Sequence, residues 1–318
     1  MMFNCGIIES KYNEEITDNI SELKKILSVI SKNLFLLLLQ DSTKKFSKKT
    51  DLKIIKEYYY SKVNVISDLA REFSLYLSSG LLTEVDQNDL FQSCLLFNPD
   101  GEIILKQRQI YLKDKKQYHV NRLDNIYSGN QEEKTRENGL KIKAGNTINY
   151  ADTELGKIGL MLGGDCWYPQ IGRVMTLEGV DLVLAVNNLQ SVKGIKSINK
   201  PWKQLSGVWS QVQQNQFIAL EACFGGQNLI HAPCEITPYR TGILAPVGSQ
   251  EKARQHNIVP YFDDLSRNYK EVLDFKIVSA EISIDSLKEI RDTYPLMKYL
   301  NKILYCKEMG GIHNVEEY

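Results

Sequence analysis

The side chains able to act as nucleophiles, proton carriers or metal ligands are few and scattered. The six cysteines are Cys5, Cys94, Cys166, Cys223, Cys234 and Cys306. No two form a CxxC pair, so neither a disulfide framework nor a zinc site is expected, and they read as reduced thiols of a cytoplasmic protein. His119, His231, His256 and His313 show no HxxxH or HExxH spacing, so no metal or cofactor is expected. Cys166 has the most suggestive neighbours. It stands in GGDCWYP, beside Asp165, where an apolar strand turns into a helix, and a helix N-terminus can lower a thiol pKa. Trp167 and Tyr168 would line a ligand site there or simply pack. Gly163 and Gly164 precede the helix, but a lone Gly-Gly lacks the spacing of a phosphate-binding loop. Nothing local ties His231, Tyr239 or Arg240 to chemistry.

Elements that would position these residues follow from periodicity. CGIIES and LFLLLL read as strands around a helix in which Ile20, Leu23, Ile26, Leu27 and Ile30 recur at helical spacing. The continuous apolar run belongs in a covered sheet. Asp41 to Lys56 reads as a solvated loop, and Val63 to Leu77 as a second amphipathic helix. FQSCLLFNPDGEIILKQRQIYL is a hairpin around Asn98-Pro99-Asp100-Gly101, where Pro fixes φ and Gly accepts a positive φ. The charged stretch 112–143 reads as a surface excursion or the edge of a pocket. GKIGLML, a helix ending near Glu178, DLVLAV, a helix over Trp202 to Gln214, FIALEACF, TGILAPVG and Phe275 to Ile284 continue the alternation. A helical segment from Asp285 to Cys306 closes it. One α/β domain over 1–318 is the economical organisation.

With 39 basic and 39 acidic residues the chain has no net field to gather nucleic acid or an anionic membrane surface. Its longest apolar run, Leu34 to Leu39, is six residues, far short of a membrane span or a signal peptide.

The segment GKIGLMLGGDCWYPQIGRVMTLEGVDLVLAVNN resembles the nucleophile segment of the nitrilase, or carbon-nitrogen hydrolase, superfamily. Gly156 and Gly159 anchor one side and Asp165, Pro169, Arg173 and Gly179 the other; the register places that family's catalytic cysteine at Gly163. By the same resemblance DGEIILKQRQIYL puts the catalytic lysine at Gln109, and FLLLLQD puts the catalytic glutamate at Gln40. The motif Arg-Ala-x-Glu-Asn falls on Gln211 to Asn215. In such a family a thiolate attacks an amide or nitrile carbon, a carboxylate moves protons, and an ammonium with backbone N–H groups steadies the developing charge.

The resemblance implies a four-layer αββα sandwich, commonly paired into a homodimer or higher oligomer. It also implies that no residue here fills the triad. Gly163 has no nucleophile, Gln40 is no base, and Gln109 carries no charge. Losing all three together avoids the unpaired buried charge that a single loss would leave. The expected site is a neutral pocket of Gln40, Gln109, Gly163, Gly164, Asp165, Cys166 and Trp167 in a non-hydrolytic ligand-binding, scaffolding or regulatory protein, acting alone or beside an active paralogue. The alternative is a divergent carbon-nitrogen hydrolase, or another enzyme in the same pocket, with Cys166 as nucleophile. Glu132, Glu133 and Glu137 lie where the family often carries a further pocket glutamate, but their polar loop favours a solvated role. Glu221 and Cys223 border the family pocket and read first as a satisfied polar residue and a small core residue.

Overall fold

The computed structural model describes residues 1–10, 20–40, 46, 50–112, 135–137, 140–188, 205–224, 226–245, 270–272 and 275–300. Glu132, Glu133, His119, His256, His313 and Cys306 lie outside them, as do the side chains of Glu137 and Tyr239.

The first sheet contains β1 (Met2–Ser10), β2 (Leu36–Leu39), β3 (Tyr76–Ser78), β4 (Leu82–Asp86), β5 (Asp89–Phe97), β6 (Ile103–Arg108), β7 (Thr135–Glu137) and β8 (Leu140–Ile142). The second contains β9 (Tyr150–Thr153), β10 (Gly156–Leu162), β11 (Leu182–Asn188), β12 (Ile218–Phe224), β13 (Leu229–His231) and β14 (Ile243–Ala245). Strands β15 (Lys270–Val272) and β16 (Phe275–Ser283) return to the first sheet, whose path is β15-β16-β1-β2-β3-β5-β8-β7, with β4 and β6 also pairing with β5. The second sheet runs β14-β13-β12-β11-β10-β9.

Alternation along the strands divides the interior into three layers. Cys5, Ile7, Leu36, Leu38, Leu96 and Leu105 of the first sheet pack with Ile158, Leu160, Leu162, Leu184, Val186, Leu220 and Ala222 of the second. The opposite face of the first sheet, including Leu37, Leu39 and Leu95, is covered by α1 (Ile20–Ile30) and α2 (Leu52–Phe73). The outer face of the second, including Met161, Val183 and Ala219, lies under α3 (Pro169–Leu177) and the helical stretch that ends in α4 (Ser210–Asn215). This is the four-layer αββα sandwich expected, and all four residues of β2 are buried, as the continuous apolar run requires.

Three element boundaries differ from expectation. The loop read over Asp41 to Lys56 ends earlier, because Asp51 caps α2 by accepting the Lys53 N–H at 2.8 Å and the helix is under way by Leu52. That helix ends at Phe73, where Ser74 adopts φ 51, so Leu77 belongs to β3 instead. At the C-terminal end α5 covers only Ile284–Thr293, since Pro295 forces the preceding residue out of helical geometry; residues 301–306 lie outside the described chain. Among the described residues no helix is long and apolar enough to cross a membrane.

Candidate functional site

Strand directions gather the expected residues at one end of the sandwich. Strands β1, β2 and β3 are parallel, β5 is antiparallel to β3, and β6 antiparallel to β5, so β6 points the same way as β2. In the second sheet β10, β11 and β12 are parallel. Gln40 follows β2, Gln109 follows β6, and Gly163 follows β10: all three occupy the C-terminal ends of strands, where α/β sheets present their sites. Gln40 and Gln109 continue the sheet ladder through N–H bonds of 2.8 Å to the carbonyls of Ile8 and Gln92. Two-residue alternation from Leu38 and Leu105 turns both side chains toward the second sheet.

One corner of this end is built on the Gly163-Gly164-Asp165 turn. Gly163 has φ +50, and the Gln109 Nε2 lies 2.8 Å from where a Cβ on Gly163 would stand. That amide donates to the Tyr111 carbonyl at 2.8 Å. A Cβ on Gly164 would lie 1.8 Å from the same carbonyl, so only glycine admits this approach. The buried Asp165 carboxylate accepts the N–H groups of Tyr111 at 2.7 Å and Ile110 at 3.1 Å. It also accepts that of Leu162 at 3.4 Å. The Tyr111 ring stacks on Tyr168, centroids 3.7 Å apart and planes 9° from parallel. Burial, with Tyr168 and Asp165 adding to it, pushes the Tyr111 hydroxyl pKa up.

The opposite corner is held by Asn228, fully buried in the turn between β12 and β13. Its Nδ2 donates to Gln40 Oε1 at 2.9 Å and to Glu9 Oε2 at 2.5 Å, while its Oδ1 accepts the Cys223 N–H at 2.9 Å. Glu9 also faces Lys276 at 3.4 Å. Burial raises the Glu9 pKa, and Lys276 and Asn228 only partly offset this.

Cys166 lies fully buried beneath α3 with Met161, Ile171 and Met175, and its carbonyl accepts Gln211 Nε2 at 2.8 Å. Trp167 and Tyr168 are half-buried against the same cluster. Gln211 also accepts the Gly172 N–H at 3.1 Å, tying α4 to α3. Burial pushes the Cys5 thiol up to about 12 and raises that of Cys94, the reverse of what an activated nucleophile needs. Among the described residues no group of three His, Cys, Asp or Glu side chains is placed to hold a metal ion.

Glu221, read as a satisfied polar residue, accepts Asn187 Nδ2 at 3.0 Å and pairs with His231 Nε2 at 2.9 Å, all fully buried. They continue the face of Ala219 and Ala185, under the helices and away from the inter-sheet core. Sequence reasoning gave His231 no role; only the antiparallel pairing of β12 and β13 brings it to Glu221. It also passed over Glu9, Tyr111 and Asn228. Tyr111 lies two residues past Gln109, and Asn228 in the turn-like GGQN, signals that mark a loop but not its partner.

The architecture and the strand-to-helix turn define an αββα hydrolase-type sandwich. The chain belongs to the carbon-nitrogen hydrolase family, whose family model matches residues 50–249. It is similar to the omega-amidase NIT2 of Homo sapiens, 24% identical over 246 residues that span 77% of this chain and 74% of that protein. A match to the omega-amidase NIT2 of Mus musculus is 29% identical over 119 residues and spans 37% of this chain and 38% of that protein. Among solved structures, a carbon-nitrogen hydrolase from Helicobacter pylori superposes with a TM-score of 0.65 at 19% identity, covering 97% of this chain and 98% of that one.

Proposed function

We propose that this chain is a carbon-nitrogen hydrolase family member that no longer hydrolyses carbon-nitrogen bonds and works as a cytoplasmic ligand-binding, scaffolding or regulatory protein, as a homodimer or beside an active paralogue. The supporting observation is the turn after β10. The residue at the nucleophile position is a glycine, and the space its side chain would enter is taken by the Gln109 amide. No thiolate can form there, and Gln109 and Gln40 supply no charge or base near neutral pH. A corner filled by the Gln109 amide and the Tyr111 carbonyl favours scaffolding or regulation over a retained substrate cavity.

The relatives named omega-amidases support the competing reading, a divergent amidase or nitrilase using Cys166. Its complete burial among apolar side chains opposes that role. Ammonia release from a panel of amides and nitriles separates the two: the purified protein is expected to give none above the uncatalysed rate. Hydrolysis that disappears in Gln40→Ala or Gln109→Ala would overturn the proposal. An amide-like electrophile is expected to label Cys166 no faster than the other thiols, and selective labelling there would favour the amidase.

A further inference from the structure

We infer that the chain plugs its own site: residues Gln109 to Tyr111 are seated on the Gly163-Gly164-Asp165 turn as an autoinhibitory contact, with the Gln109 carboxamide as the stopper. This rests on the placement of Gly163 at the nucleophile position but not on the absence of hydrolysis.

Three independent contacts hold the segment down. The Gln109 amide is nine-tenths buried, stands 2.8 Å from the Cβ position of Gly163, and is fixed by its 2.8 Å bond to the Tyr111 carbonyl. That carbonyl fills the Cβ position of Gly164. Asp165 grips the two following N–H groups. A side chain at 163 would meet the tip of Gln109, a flexible end that swings aside only by giving up its part-buried bond to the Tyr111 carbonyl. The lysine position and the nucleophile position are therefore one coupled change: the stopper fits because the nucleophile is gone. The stopper is itself a primary carboxamide, so the space it fills suits a small neutral amide that can donate to the Tyr111 carbonyl.

The test introduces a thiol at 163 in two backgrounds, Gly163→Cys with Gln109 intact and Gly163→Cys with Gln109→Ala, and follows its alkylation by iodoacetamide peptide by peptide. The positive φ penalises any side chain at 163 in both backgrounds and cancels in the comparison. Alkylation of the new thiol is expected to be at least about tenfold slower with Gln109 present, while buried Cys94 stays protected in both as a measure of intact folding. Equal rates in two folded variants would overturn the inference. Where Gly163→Cys does not fold, Gln109→Ala alone is used: its lowered melting temperature is expected to be restored by propionamide and not by propionate. Failure of propionamide to restore it, or equal restoration by both, overturns the inference as well. Ammonia release by the unmodified protein bears on the proposed function alone and leaves both of these outcomes unchanged.

Discussion

The two corners of the site are built from the same residue type, a glutamine at the C-terminal end of a strand, yet they are held by opposite means. At Gln109 the fixing groups are mostly main-chain atoms gathered on one carboxylate: the Tyr111 carbonyl, three backbone N–H groups bound by Asp165, and two glycines without side chains. At Gln40 they are side chains, the Asn228 amide and, through it, the Glu9 carboxylate and Lys276. A corner made largely of backbone tolerates almost no added atom. One made of side chains can be altered group by group and carries a charge whose state depends on its surroundings.

The sharpest way to break this contrast is Gly164→Ala. A Cβ at 1.8 Å from a carbonyl oxygen cannot be relieved by a rotamer, so the whole 109–111 segment must shift. A loss of about 4 kcal/mol, or failure to fold, is expected in urea titration. Gly179→Ala is the contrast: Gly179 has the positive φ, +81, that Gly164 lacks, but nothing within 4 Å, so only about 1 kcal/mol of backbone strain is expected. A loss at 164 no larger than at 179 would show that the seated segment yields to a Cβ at little cost.

Asp165→Asn comes next. It replaces an ionised acceptor of three N–H groups by an amide with one acceptor oxygen, at an expected cost of about 2 kcal/mol. Hydrogen exchange is expected to speed up at Ile110 and Tyr111 well before the rest of the first sheet. Protection unchanged at those two amides would mean the segment is held by something other than the carboxylate.

How much of this was legible in the sequence follows from the range of each interaction. The sandwich, the β5–β6 hairpin and β2 could be read because alternation, a Pro-Asp-Gly turn and a four-residue apolar core are local signals. Gly163, Gln109 and Gln40 were located by spacing against a known motif, and strand order then explains their common end. The partner of each glutamine was not legible. Gln109 meets Gly163 across 54 positions and Gln40 meets Asn228 across 188, which only sheet stacking decides. Asp165 illustrates the same limit: read as a pocket carboxylate beside a thiol, its acceptors are spent on backbone amides 54 and 55 positions away.

The side-chain corner gives smaller, more graded effects. Asn228→Leu keeps the volume but removes the donor to Gln40 Oε1 and Glu9 and the acceptor of the Cys223 N–H in a buried turn. A destabilisation of about 1.5 kcal/mol is expected, read from urea midpoints. No change would show that Asn228 does not hold the corner.

Glu9 tests whether the charge buried in this corner responds to pH. Burial raises its pKa in the folded protein above the ordinary carboxylate value, so the native state holds the proton more tightly than the unfolded chain. The associated stability is fully present below the unfolded pKa and is lost as pH rises through the folded one. Glu9→Gln keeps an acceptor for Asn228 and removes the titration. Its melting temperature is therefore expected to track the parent near pH 4 and to rise relative to it as the pH climbs toward about 7. Titrating groups that do not interact with Glu9 cancel in that difference. A gap that stays constant across the range would mean Lys276 and Asn228 compensate the burial of Glu9 fully. A gap of opposite slope would mean that the ion pair with Lys276 outweighs burial and holds the Glu9 pKa below its unfolded value.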